Sequence, residues 1–217
     1  MKTLLTSAVF VVAAGAAHAA SLSIDFETGY SNDVTVLSNG DEIAPGVTVT
    51  STETIQVVKT GSPTDAFVPN DMPAVGDFGD YFLTGDFNKD TDLSLHFATD
   101  VTGLSFDIAD IDGSGETVSN STEFFEFTAY LNGIQVDQIL VDATEVNGDA
   151  QVVTIAFADD LVLDMLGIVG YTKGGTRNIG WGIDNIHASP VPLPAAGLLL
   201  LGGLGGLAAM KRRRKAA

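Results

Sequence analysis

The chain has 217 residues, no cysteine and a formal net charge of −18. Disulfides and thiol chemistry are therefore excluded, and so acidic a chain does not bind nucleic acid or anionic membrane unaided. All 28 acidic residues lie between positions 21 and 190, opposed there by Lys59, Lys89, Lys173 and Arg177, so that region carries a net charge of −24.

Residues 1–19 pair one base, Lys2, with an apolar run from Leu4 to Ala17 and the small-x-small site Ala17-His18-Ala19. This is the pattern of a secretory signal peptide. Residues 21–190 then form one domain, long enough for a core of its own.

That domain reads as β throughout. From Ser21 to Glu27, Leu22, Ile24 and Phe26 alternate with Ser23, Asp25 and Glu27, the period of a half-buried strand. Short Val- and Thr-rich strands are predicted at 34–37, 47–50 and 54–59, with turns at Asn39-Gly40-Asp41 and Pro45-Gly46. Three prolines between Thr60 and Asp80 predict a long surface loop. Strands resume at 80–84, 92–98 and 101–109; in the last, Leu104, Phe106 and Ile108 share one face.

Asn132-Gly133 separates predicted strands 123–131 and 134–141, a strong hairpin signal. It turns Phe125, Phe127, Ala129 and Leu131 towards the core. Strands 151–157, 161–171 and 179–187 complete the pattern, and no amphipathic helix or fixed-period repeat appears. About eleven short strands predict an antiparallel two-sheet sandwich, jelly-roll-like in connectivity.

Catalytic signatures are poor. His96 and His187 are the histidines left after signal removal, and both read as ordinary surface or edge residues. No G-x-S-x-G, H-E-x-x-H or P-loop pattern occurs. The domain is therefore expected not to be an enzyme. The alternative, a secreted polysaccharide-active enzyme, would use carboxylates that sequence alone does not select.

Metal chemistry has three candidates. Asp86, Asn88 and Asp90 carry oxygen donors at alternate positions, as calcium loops do, but Phe97 stands at the twelfth position. Asp110, Asp112, Ser114 and Gly115 fit the first, third, fifth and sixth positions of such a loop, and Ser121 stands at the twelfth. The plain reading of both stretches is a solvated turn. The preferred calcium site lies at the ends of the domain, where Glu27, Asp184 and Asn185 would supply carboxylate and amide oxygens if the terminal strands are neighbours.

Phe124 and Tyr130 fall on the outward face of the hairpin, where rings can stack on sugars, or pack under a loop. Tyr171 and Arg177, near a Gly-rich turn, form a second candidate pair.

The final 27 residues have a fixed order: the motif Val191, Pro192, Leu193, Pro194, Ala195, then an uncharged apolar run to Met210, then the basic cluster 211–215. Twenty helical residues from Val191 to Met210 reach about 30 Å, the thickness of a bilayer core. The basic end is expected to stay cytoplasmic. Motif, helix and basic end resemble the VPLPA-CTERM sorting signal, a variant of the PEP-CTERM signal of Gram-negative bacteria. The resemblance covers residues 191–217 alone. It implies tethering in the inner membrane, cleavage near the motif by an exosortase-type protease, and transfer of the domain to the surface or medium.

Two short motifs bracket the domain. Asp25-Phe26-Glu27 opens it, and Trp181-Gly182-Ile183-Asp184-Asn185-Ile186 nearly closes it. The pair is similar to the first and last strands of MAM-like and galactose-binding-like jelly rolls, with Asn185 where MAM domains carry Asp. The similarity implies adjacent terminal strands. Together these readings describe an exported binding or structural protein of the cell surface or extracellular matrix, with extracellular polysaccharide as a candidate partner. A purely structural matrix component without a ligand is the third alternative.

Overall fold

A computed structural model describes residues 20–60, 79–85, 91–113, 123–142, 145–146, 152–172 and 181–192. The signal segment, most of the predicted loop before Asp80, the Asp86, Asn88 and Asp90 loop, Arg177 and the motif residues Leu193, Pro194 and Ala195 lie outside them. The described residues fall almost wholly in one compact unit, Ala20–Val191. The other unit, Met1–Ala19 with Pro192–Ala217, lies outside them apart from Pro192.

The domain is all-β, with no helix among the described residues. Its centre is one long strand, β7 (Thr91–Ala109), which serves two halves of the sheet. The sequence predicts a break between Ala98 and Val101. The chain instead runs through, with exposed residues at 98–100 and Gly103 at φ 60°. Continuity lets each half of β7 keep a full ladder on both sides.

The first half of β7 pairs antiparallel with β4 (Val47–Ser51) and β13 (Leu163–Thr172). β13 pairs with β9 (Glu123–Leu131), and β9 with the edge strand β10 (Ile134–Asp142). Asn132 at φ 52° and Gly133 at φ 75° make the β9–β10 turn. Two positive φ values are what a two-residue hairpin loop with matching twist requires. β3 (Glu42–Ala44) pairs with β4.

The second half of β7 pairs with β12 (Val152–Ala156) and β14 (Gly182–Pro190). β14 meets β6 (Tyr81–Gly85) through Ile183 and β1 (Leu22–Ile24) through residues 186–188. β5 (Ile55–Lys59) and β2 (Val34–Leu37) follow β6 outward. A parallel pair, β8 (Asp112–Gly113) with β11 (Glu145–Val146), departs from the antiparallel pattern.

The inward residues of both halves make one hydrophobic cluster. Leu93, Leu95, Phe125, Phe127, Leu166 and Ile168 come from the first half; Leu104, Phe106, Ile108, Leu83 and Ile183 come from the second. Phe106 and Phe127 meet edge-on, with ring centroids 5.1 Å apart. Truncating a ring in so filled a core costs about 3–5 kcal/mol.

Candidate functional site

Two places gather polar chemistry: the outward face of the first half, and the junction of β1, β6 and β14 in the second.

On the outward face, alternation along β9 presents Phe124, Glu126, Thr128 and Tyr130. The register sets Tyr171, Val169, Gly167 and Met165 of β13 opposite them, in that order. β7 continues the face with Asp92, Ser94 and His96, and β4 with Thr48 and Thr50. Phe124 and Tyr130 thus lie on the outer face, as the sequence predicts. Tyr171 pairs with Phe124: the rings stack with centroids 5.6 Å apart and planes 17° from parallel.

Tyr130 owes its position to a glycine. A Cβ on Gly167 would lie 3.2 Å from Tyr130 Cε2, so the bare backbone there gives the ring room to lie against the sheet. Hydrogen bonds hold the remaining groups. Tyr171 Oη donates to Glu126 Oε1 (3.2 Å), and Gln138 Nε2 donates to Glu126 Oε2 (3.4 Å) and Thr128 Oγ1 (3.2 Å). Thr50 Oγ1 bonds His96 Nε2 at 2.9 Å, which seats the histidine on an interior strand rather than an edge. Beyond Tyr130 the face ends in an open cleft of about 370 Å³, lined by His96, Phe97, Asn132, Gly133, Asp164 and Met165.

The second place is where the domain's ends meet. β1 and β14 are antiparallel neighbours, Ile24 opposite Ile186. The alternation predicted through Glu27 stops as a strand at Ile24, because Phe26 turns to φ 54°. That turn sends Glu27 across to β6, where its Oε1 accepts N–H bonds from Asp80 (2.6 Å) and Tyr81 (3.1 Å). Asp184 comes from β14, just before Asn185 at φ 51°. A Cβ on Gly79 would collide with the Glu27 carboxylate and meet Asp184 Oδ2 at 3.3 Å. The two carboxylates therefore converge under a residue that only glycine suits, also because its φ is 59°.

Asp184 is 1% exposed. The Asn185 N–H lies near it, yet neither carboxylate oxygen has a partner in good hydrogen-bond geometry. Burial pushes its pKa up to about 8; the Asn185 backbone opposes this, and the charges of Glu27, Asp25 and Asp107 add to it. Sequence reasoning missed Asp25 and Asp107 as members of this cluster. Asp107 is the cross-strand partner of Asp184, and its carboxylate accepts Asn185 Nδ2 (3.0 Å) and Thr154 Oγ1 (2.6 Å). The amide nitrogen of Asn185 is thus turned to Asp107.

Among the described residues no three carboxylate or imidazole side chains close on one point as a ready metal site. The convergent pair still suits a hard cation in donor type, since both groups offer oxygen and the Asp184 oxygens lack partners. Asp110, expected in a solvated turn, is buried at φ 68°. The chain folds inward there at the end of β7. Asp112 lies in the backbone of β8.

No family model matches the chain, and no curated protein matches it. Several solved structures are similar to the chain at low identity. A DUF4465 family protein from Bacteroides caccae is 10% identical at TM-score 0.46, covering 80% of this chain and all of that one. The arabinose-bound MgGH51 α-L-arabinofuranosidase is 11% identical at TM-score 0.45, covering 81% of this chain and 27% of that one. The Caldicellulosiruptor saccharolyticus CBM27-1, in complex with mannohexaose, is 12% identical at TM-score 0.37, covering 81% and 100%.

Proposed function

We propose that the chain is an exported surface or matrix protein whose jelly-roll-like domain binds extracellular polysaccharide on the outward face of β9 and β13. The observation that carries this reading is the placement of Phe124, Tyr171 and Tyr130 on one face, interleaved with Glu126, Thr128 and Gln138. Rings stack on the apolar faces of sugars, and the polar groups between them orient hydroxyls. The test is affinity electrophoresis of the exported protein through gels containing different polysaccharides. Retardation that Tyr130→Ala or Tyr171→Ala removes supports the reading; unchanged migration in all of them defeats it. Release of reducing ends would identify a carbohydrate-active enzyme instead.

Calcium has a structural place in this reading. Bound between Glu27 and Asp184, it would tie β1 to β6 and β14 in a domain without disulfides. Binding to the folded state alone raises stability by about 2.7 kcal/mol at a hundred times the dissociation constant. The thermal midpoint is expected to rise with calcium in the wild type and not in Glu27→Gln or Asp184→Asn. A rise that survives both substitutions would place the ion elsewhere.

Export follows from the two ends of the sequence. The motif starts where the sheet's bonding stops: Val191 N–H donates to Asp100 O at 2.8 Å, just after β14 ends at Pro190. An exosortase-type protease of the inner membrane would cut near this point and leave the sandwich intact. Intact mass of the extracellular form is expected to lack the basic cluster 211–215; recovering that cluster in most of the material refutes processing.

A further inference from the structure

The binding face has a charge sign as well as a shape. Its carboxylates include Asp92 on β7, Glu126 on β9, Glu42 on β3 opposite Thr48, and Asp164 at the cleft. No Lys or Arg among the described residues lies on it. Lys59, the one such residue described, is on β5 in the other half, with its Nζ 5.9 Å from the Tyr81 ring centroid. Around the face the region 21–190 carries −24. A field of this sign repels uronate and sulfate polymers and attracts cations.

The rings add to that preference. An ammonium group is drawn to the π-face of Tyr or Phe as well as to a carboxylate. Glu126 stands between these rings, and its two oxygens are held by the long bonds from Tyr171 and Gln138. Such bonds leave lone pairs for a third donor. Phe124 and Tyr130 are six positions apart on one strand, about 20 Å at the usual rise. That length suits several linked sugars rather than one.

From this complementarity we infer that the occupant is a linear polysaccharide carrying free amino groups, an amino-sugar polymer at least partly without N-acetyl groups. This rests on the glycan-binding reading and gives it a substrate class. An ammonium group on one sugar unit meets Glu126 and a ring, while neighbouring units stack on Tyr130 and on the Phe124–Tyr171 pair.

The test compares two polymers with one backbone, glycol chitosan and the same material fully N-acetylated, by titration calorimetry on the exported protein at low and high salt. The expected result is about tenfold tighter binding of the free amine form, the scale of one desolvated charge–ring contact. Glu126→Gln should remove that preference while the acetylated polymer still binds. The substitution Asp33→Asn removes one charge at an exposed position just before β2, at the other end of the strand order from β9, and should leave the preference in place. If it removes the preference as fully as Glu126→Gln does, the attraction is a general polyelectrolyte effect and the inference falls. Equal binding of both polymers, or tighter binding of alginate, overturns it and leaves the glycan reading standing. Binding of any polymer that Tyr130→Ala does not weaken overturns both.

Discussion

The outward face of the first half and the acidic junction of the second are both polar, but they balance their charges differently. On the face, Glu126 accepts from Tyr171 and Gln138, and His96 has Thr50. The polar groups satisfy one another, so the rings can stand in water without strain. At the junction, Asp184 is buried with both oxygens lacking good partners, among three further acids. A buried carboxylate in that state takes up a proton or a cation, because an uncompensated charge there is expensive. The first region pairs its polar groups with one another; the second leaves both Asp184 oxygens without a good partner.

The largest effect expected from this contrast is in pH dependence. Burial pushes the Asp184 carboxyl up to about 8 in the folded domain, from 3.8 for a free aspartate side chain. Between those values the folded domain holds a proton that the unfolded chain has released. Its contribution is therefore full below the lower value and is lost as pH rises towards the upper one. In chelator, the thermal midpoint of the wild type should fall relative to Asp184→Asn as pH is raised from 5 to 8. A midpoint difference that stays flat across the range would remove Asp184 as the source.

Next in size is Gly79→Ala. The added methyl collides with the Glu27 carboxylate and forces an unfavourable φ, so a loss of about 3 kcal/mol is expected by denaturant unfolding. Tyr130→Ala should act on the other region alone, weakening glycan binding by about thirtyfold, or 2 kcal/mol. The same variant should change stability by less than about 1 kcal/mol, since the ring lies on the outside of the sheet. Gln138→Ala is the smallest, a few-fold loss of binding at about the worth of one neutral hydrogen bond. A Tyr130→Ala variant that unfolds easily would mean the face is core, and the comparison would collapse.

Much of the fold is legible in the sequence because alternation reports which side of a strand faces inward. Leu104, Phe106 and Ile108 are all buried as their spacing predicts, and Asn132-Gly133 makes its turn. Alternation does not report which strands are neighbours. Phe124 and Tyr171 are 47 positions apart and meet only because β13 lies beside β9. Arg177, chosen as a partner for Tyr171 from nearness in sequence, lies outside the described residues. The convergence of Glu27 with Asp184 is legible once β1 and β14 are taken as neighbours. Asp107 enters through β7, which gives no sign in the sequence of pairing with β14. The strand β3 is missed because three residues between two turn signals are too few to show a period.

The continuity of β7 has a mechanical consequence. Val191 is bonded to Asp100, and β14 runs from there alongside the second half of β7, flanked on its other side by β1 and β6. Tension applied at Val191 along β14 loads these ladders in shear, many hydrogen bonds sharing the force at once. The same β7 continues into the half that carries the Tyr130 and Phe124–Tyr171 rings. A domain pulled at Val191 while a polymer drags on its face would thus carry the load into that half along the unbroken backbone of β7.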